Sequence, residues 1–271
     1  MKIIILCDAQ PNQVALANKT AKQFQLAGIV IERPAQNKKW KVTFSQFIEK
    51  ALNKTVFISL SKTWFNMLGH YEKIYPDFPE VEAIHVPNIN TSETVNFINR
   101  IKPDLIMVSG TSLLRKKILE LPIPLGIINL HTGLSPYVKG APNCTNWCIA
   151  ENKMHLIGNT VMWIDAGIDS GDLVTTAFTP LNGDEAFLEL HIKVMEHAHE
   201  LYLSAVKKIR DDINNCPRIK QSSIATGTTY YNRQWNWKKK LSLLRNVKKI
   251  RVYFHSDKYL QDKATISTVP L

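Results

Sequence analysis

The chain opens on an uninterrupted apolar run, Ile3 to Cys7, then a polar break, then a stretch over residues 13–26 with helical spacing of its apolar positions. A short, wholly apolar run suits a strand buried on both faces of a parallel sheet. Gly28 is read as the end of the first helix, with a second strand beginning over residues 29–31. Residues 40–52 read as a helix with some basic character, and residues 56–60 as a strand or a buried helix. Further on, residues 92–101 read as a helix capped by Thr91 or Ser92 and closed by Pro103. Residues 104–109 form the next strand, Gly110 and Thr111 a turn, and residues 113–119 a short helix broken by Pro122 and Pro124. Residues 126–130 are a strand that delivers its end to His131. A Gly/Pro-rich loop follows up to Pro142, then a helix over residues 143–151 and a long strand over residues 156–164. An acidic loop, residues 165–172, a strand over residues 173–178, and a long helix over residues 184–210 opened by Asn182 complete the pattern. Alternating strands and helices predict an α/β fold, a doubly wound and mostly parallel sheet whose ligands sit past the carboxyl ends of its strands.

Charge changes that picture at one end. Residues 207–271 hold 15 of the 34 basic and 4 of the 23 acidic residues, so they carry the whole formal net charge of +11 and leave the rest neutral. We therefore expect a main domain over residues 1–210 and a small basic module over residues 211–271. In that module Tyr230, Tyr231, Trp235 and Trp237 interleave with Arg233 and Lys238 to Lys240. Such a mixture binds phosphates and stacks bases, or simply packs behind a solvated basic face. Residues 237–250 suit a short amphipathic helix able to lie on an anionic membrane surface.

Composition excludes several classes. With 45% hydrophobic residues, 11 Gly and 13 Pro, the chain is neither disordered nor collagen-like. No apolar run is long enough to span a membrane, and the N-terminus reads as a strand rather than a signal peptide. Four cysteines are not a disulfide framework, so a reducing cytoplasm is the expected location. Cys144 and Cys148 lack a second pair and read as packing residues rather than zinc ligands. His191, His197 and His199 show no HExxH spacing and read as surface or satisfied helix residues. The acidic loop lacks the ligand spacing of a calcium loop, so no metal is expected. No glycine-rich phosphate loop follows the first strand, which argues against a bound dinucleotide.

Two loops at strand ends carry the candidate chemistry. Asn129 and His131 stand two apart, so their side chains share a face. The amide can donate to charge developing on an oxygen, and the imidazole can donate or move a proton near neutral pH. A capping Asn beside a satisfied His is the plainer alternative. In the second loop, Asp165 and Asp169 are spaced by glycines that permit a tight backbone. A carboxylate from Asp169 beside His131 would stabilise an imidazolium.

The run INLHTGLSPYVKG, the strand that follows, and WIDAGIDSGD together resemble the folate-dependent formyltransferases. That family includes methionyl-tRNA, glycinamide ribonucleotide and sugar-nucleotide N-formyltransferases. The resemblance implies a formyltransferase-type Rossmann-like fold, 10-formyltetrahydrofolate as co-substrate, and the catalytic trio Asn129, His131 and Asp169. It further implies that Met107, Ser109, Gly110, Leu113, Trp163, Asp165 and Gly167 hold the pterin. Leu134, Ser135, Pro136, Tyr137, Lys139 and Gly140 match the loop on the acceptor side. The chain departs from the pattern at Thr132 to Pro136, in lacking a glycine-rich loop after the first strand, and in its short C-terminal part. These departures turn the expected acceptor away from glycinamide ribonucleotide and charged tRNA, towards the amine of a nucleotide-linked sugar. A tRNA-linked amine, reached through the basic tail, and hydrolysis of the formyl-folate are the alternatives. A homodimer is the prior assembly.

Overall fold

The structure, a computed structural model, describes residues 1–34, 55, 57–140 and 143–271. The helix expected over residues 40–52 lies outside them, as do Val56 and the Ala141–Pro142 end of the loop.

Seven strands form one sheet in the order β3-β2-β1-β4-β5-β7-β8. They are β1 (Lys2–Asp8), β2 (Gln25–Glu32), β3 (Ala83–Val86), β4 (Leu105–Ser109), β5 (Ile127–His131), β7 (Gly158–Trp163) and β8 (Leu173–Phe178). The first five run parallel, and β7 and β8 pair antiparallel to their neighbours. The sheet is thus mixed and largely parallel, with helices on its faces. Strand order turns round between β1 and β4, and a crevice opens at that switch point.

The alternation of β1 shows why an all-apolar run is required. Ile3, Ile5 and Cys7 enter one apolar cluster, with Leu16 and Ala17 of α1 (Pro11–Gln23) and Ala198 and Ala205 of a long helix. Ile4 and Leu6 enter another, with Phe97 and Ile98 of the helix Ser92–Ile101. Every position is covered, so none can be polar.

The other α-helices among the described residues are α2 (Ile58–Ile74), α3 (Ser92–Ile101), α4 (Lys116–Leu119), α5 (Cys144–Ala150), α6 (Phe187–Asp211), α7 (Trp237–Val247), α8 (Ile250–Phe254) and α9 (Asp257–Ala264). Three boundaries differ from expectation. Helix α1 ends at Gln23, and Gly28 lies inside β2, where Phe97 packs over it. Helix α4 is short because residues before it are held as loop: Glu32 accepts the Ser112 amide at 2.6 Å and Asn90 accepts the Arg115 amide at 2.7 Å. Helix α6 starts at Phe187, since Glu185 accepts the Asn182 and Gly183 amides and folds the entry into a turn. Of the two caps weighed for α3, Thr91 takes the role. The ambiguous run after residue 56 is helical from Ile58.

One side chain of α6 ties the centre of the sheet together. The Tyr202 hydroxyl is fully buried, accepts from the Val108 amide at 2.8 Å and donates to the Ile128 carbonyl at 2.8 Å. Tyr202→Phe strands a buried amide and carbonyl, and is expected to lower stability by about 1–3 kcal/mol in chemical denaturation.

The C-terminal segment builds on the body. Tyr230, Leu243, Ile250 and Phe254 share an apolar cluster with Leu134, Trp147 and Leu156. Asn246 is buried and donates to the Ile149 and Ala150 carbonyls, closing the end of α5. Trp147 stacks on Tyr230 with ring centroids 4.4 Å apart and meets Trp235 edge-on. A two-stranded parallel sheet pairs β6 (Val138–Gly140) with β9 (Thr228–Tyr230). The buried face of the expected amphipathic helix therefore packs on this protein's own core. No helix among the described residues is long and apolar enough to cross a membrane.

Candidate active site

Strand β5 brings Asn129 and His131 to the sheet's carboxyl edge. Its neighbour β7 pairs antiparallel in the register Asn129↔Met162 and His131↔Thr160. Strand β7 ends at Trp163, beside Ile128 and away from that edge, so the acidic loop has to fold back along β5 to reach it. Asp169 reaches His131 there, with Oδ2 3.3 Å from Nδ1.

Each partner is held. His131 Nε2 lies 3.0 Å from the Val138 carbonyl, which can only accept, so Nε2 carries a proton and Nδ1 is the nitrogen beside Asp169. Asp169 Oδ2 also accepts the Gly140 amide at 2.9 Å. The imidazole is buried, which by itself pulls its pKa down. Together the Asp169 carboxylate, the Cys144 sulfur and the Val138 carbonyl outweigh that and push the ring up to about 10. The ring is thus a cation at neutral pH, with both nitrogens protonated. The Asn129 amide makes no side-chain hydrogen bond among the described residues, so its donors are unspent.

Two cavities meet at these side chains. A slot of about 110 Å³ is walled by Val108, Leu114, Met162 and Trp163 and rimmed by the 165–171 loop. A cleft of about 830 Å³ runs from the switch point, at Asp8, Gln13 and Gly110, past His131 to a rim at Trp64 and Tyr231. Asn129 and Asp169 line both.

Leu113, Trp163, Asp165 and Gly167 line the slot, while Ser109 and Gly110 line the cleft. Met107 reaches neither cavity. Strand alternation points it into the core on the α6 side, and its neighbour Val108 faces the slot instead. Of the acceptor-side residues expected, Leu134 to Tyr137, Lys139 and Gly140, Gly140 alone lines the cleft. Leu134, Ser135 and Pro136 are buried behind it. The Ser135 amide donates to Thr160 Oγ1 at 2.9 Å, and the Tyr137 hydroxyl pairs with the Ser267 backbone. These residues shape the loop that carries the Val138 carbonyl and the Gly140 amide. Lys139 lines neither cavity.

Several cleft residues escaped the sequence reading: Gln13, Trp64 and Asn143 come from elements with no motif. Of the basic, aromatic stretch singled out in the tail, Tyr231 and Arg233, with Asn232 between them, reach the rim through the β6–β9 pairing. Gly133 escaped as well. A Cβ there would stand 2.4 Å from His131 Nε2. Gly133→Ala is expected to displace the imidazole and lower turnover about 10²-fold while the fold survives, read by steady-state kinetics beside a thermal melt.

The three helix histidines take no part. His191 and His199 are buried, and burial drives them down to about 4 and about 3, so both stay neutral. His197 lies 2.9 Å from Asn159 Nδ2. Among the described residues no group of three or more His, Cys, Asp or Glu could hold a metal ion.

A strand-end amide and a carboxylate-paired imidazolium thus stand where two cavities meet on a doubly wound sheet. The chain belongs to the formyl transferase family, whose model matches residues 1–206. It is 32% identical over 143 residues to methionyl-tRNA formyltransferase of Syntrophus aciditrophicus, covering 52% of this chain and 44% of that protein. The chain thus spans less than half the length of that curated relative. Among solved structures, a sugar N-formyltransferase from a Shewanella species aligns with a TM-score of 0.56 at 14% identity, covering 91% of this chain and 87% of the other. A glycinamide ribonucleotide transformylase from Symbiobacterium toebii aligns at 0.52 and 18%, covering 81% and 94%. At these identities the likeness is one of fold.

Proposed function

We propose that the chain transfers a formyl group from 10-formyltetrahydrofolate to a primary amine. The observation that carries this reading is that Asn129 and Asp169, the latter paired with His131, line both a narrow slot walled by Val108, Leu114, Met162 and Trp163 and a larger cleft. The slot suits a heteroaromatic ring: its walls are apolar, and its rim offers backbone and carboxylate groups from the 165–171 loop. The co-substrate supplies the formyl carbon. Asn129 donates to the formyl oxygen as it gains negative charge, and the His131 cation stabilises the same atom. Asp169 keeps His131 charged and takes up the proton that the attacking amine sheds, directly or through water. As the tetrahedral adduct collapses, the bond from the formyl carbon to the folate nitrogen breaks, and that nitrogen receives the proton and leaves as tetrahydrofolate. The amine enters neutral, since an ammonium has no lone pair. No step calls for a metal.

Two acceptors fit, each with its own support. A tRNA-linked amine is supported by the curated relative named for methionyl-tRNA and by the basic residues 207–271, whose charge would hold a polyanion. The amine of a nucleotide-linked sugar is supported by the cleft's rim, where Trp64 and Tyr231 offer rings and Arg233 a guanidinium. A bare hydrolase is disfavoured by a cleft far larger than one water needs. The test is tetrahydrofolate release with charged initiator tRNA, with a panel of amino-sugar nucleotides, and with no acceptor. The reading expects release that depends on one amine class; equal release without an amine contradicts it.

A further inference from the structure

The donor slot and the Asp169 loop are held from outside by a short segment beyond the family match, residues 217–221. Pro217 accepts the Trp163 indole N–H at 3.0 Å. The Arg218 guanidinium stacks on the Trp163 ring, 3.6 Å from its centroid. Ile219 pairs with Leu173 through two backbone hydrogen bonds, fixing the segment against the start of β8. Gln221 Nε2 donates to the Asp169 carbonyl and to the Gly171 carbonyl, each at 2.8 Å.

These attachments fall where the loop has most need of them. Asp169 sits at φ +46°, a left-handed conformation that a side chain-bearing residue holds only when its surroundings impose it. Gly171 passes so close to Trp163 that a Cβ would lie 1.8 Å from the Trp163 carbonyl oxygen. The loop therefore has one packed arrangement, and its two carbonyls face a single buried amide. Gln221 is more than nine-tenths buried, and its Oε1 has no hydrogen-bond partner. Its one set of bonds is spent on the loop, and a buried amide left half-satisfied is retained at a cost.

We infer that Gln221 is a positioning residue for Asp169 and Arg218 a positioning residue for Trp163, so that residues 217–221 form a strap setting the distance between the donor slot and the His131–Asp169 pair. This rests on the formyl-transfer reading of the site. The two halves of the strap should separate kinetically. Gln221 acts on the carboxylate at the reacting end, so its loss falls mainly on kcat. Arg218 acts on a slot wall, so its loss falls mainly on the donor's KM.

The experiment compares wild type with Gln221→Ala, Gln221→Glu and Arg218→Ala. Gln221→Ala is expected to lower kcat about 10–100-fold, as a displacement of the order of 1 Å does. Arg218→Ala is expected to raise the donor's KM several-fold with kcat nearly unchanged. Gln221→Glu is the discriminating variant. An ionised carboxylate facing two carbonyls repels them, whereas the protonated acid can donate to one, so its activity relative to wild type should recover on acidification. A second readout needs no substrate: in Gln221→Ala the loop 165–171 should exchange amide hydrogens faster, and the His131 ring should titrate below its wild-type value. If wild type transfers formyl groups while all three variants match it in kcat, KM, pH profile and exchange, the strap is refuted. If wild type transfers none, it is the reading of the site that fails, and the exchange and titration data still decide whether Gln221 holds the loop.

Discussion

Replacing Asn129 by Ala lowers kcat for formyl transfer by about 10²–10³-fold, equivalent to about 3–4 kcal/mol of barrier, with the fold intact. The size follows from preorganisation. The amide stands at the junction of both cavities with no partner among the described side chains. It therefore meets developing charge without first breaking a bond. The loss should appear in kcat rather than in KM, because the interaction strengthens only as the oxygen becomes negative. Asn129→Asp is expected to do more harm than Ala, since a carboxylate there repels the same oxygen. A variant that keeps kcat and loses only affinity would place Asn129 in binding alone.

Asp169→Asn removes the charge that keeps His131 protonated. Burial is then opposed only by the Cys144 sulfur and the Val138 carbonyl, so the pKa of the ring falls well below its wild-type value of about 10. The ring gives up its charge at a lower pH, and kcat at pH 7.5 is expected to fall by about 10²–10⁴-fold. The pH dependence separates loss of charge from loss of shape: residual activity in Asp169→Asn should rise as pH is lowered towards 6. The sign for stability is fixed by the same shift. A folded-state pKa above the unfolded value gives a contribution that is whole below about pH 6.5 and disappears as pH rises through about 10. Wild type should thus lose its stability advantage over Asp169→Asn between those limits. Parallel denaturation curves for the two proteins at pH 6 and pH 10 measure it.

The site was legible in sequence to the extent that its chemistry lies on one strand and one loop. Asn129 and His131 share a face because strand residues two apart must do so. That Asp169 meets His131 depended on β7 being the neighbour of β5 and on the acidic loop folding back from Trp163 towards the carboxyl end of β5. The sheet was legible because Ile3 to Cys7 of β1 and Leu105 to Val108 of β4 are apolar without a break, as burial on both faces requires. What was not legible arises from pairing at long range. The Val138 carbonyl orients His131 because the loop doubles back, and nothing in Leu134, Ser135 or Pro136 says that they lie behind the cleft. The family resemblance implied Met107 as a pterin residue, but a shift of one residue in a strand moves a side chain to the opposite face, and Val108 takes the place instead. Glu185, not Asn182 alone, sets where α6 begins. The basic tail looked separable from its charge, yet Asn246 and Tyr230 are built into the core around Trp147, and residues 217–221 reach the active-site loop. Charge marks what faces water; it is silent on what lies beneath.

The most direct test follows the formyl carbon itself. With isotopically labelled 10-formyltetrahydrofolate, wild-type protein and a competent amine, label should appear as an N-formyl amide in step with tetrahydrofolate release. His131→Ala should abolish both. Label recovered as free formate at the same rate whether or not an amine is present, or full transfer by His131→Ala, would contradict the account.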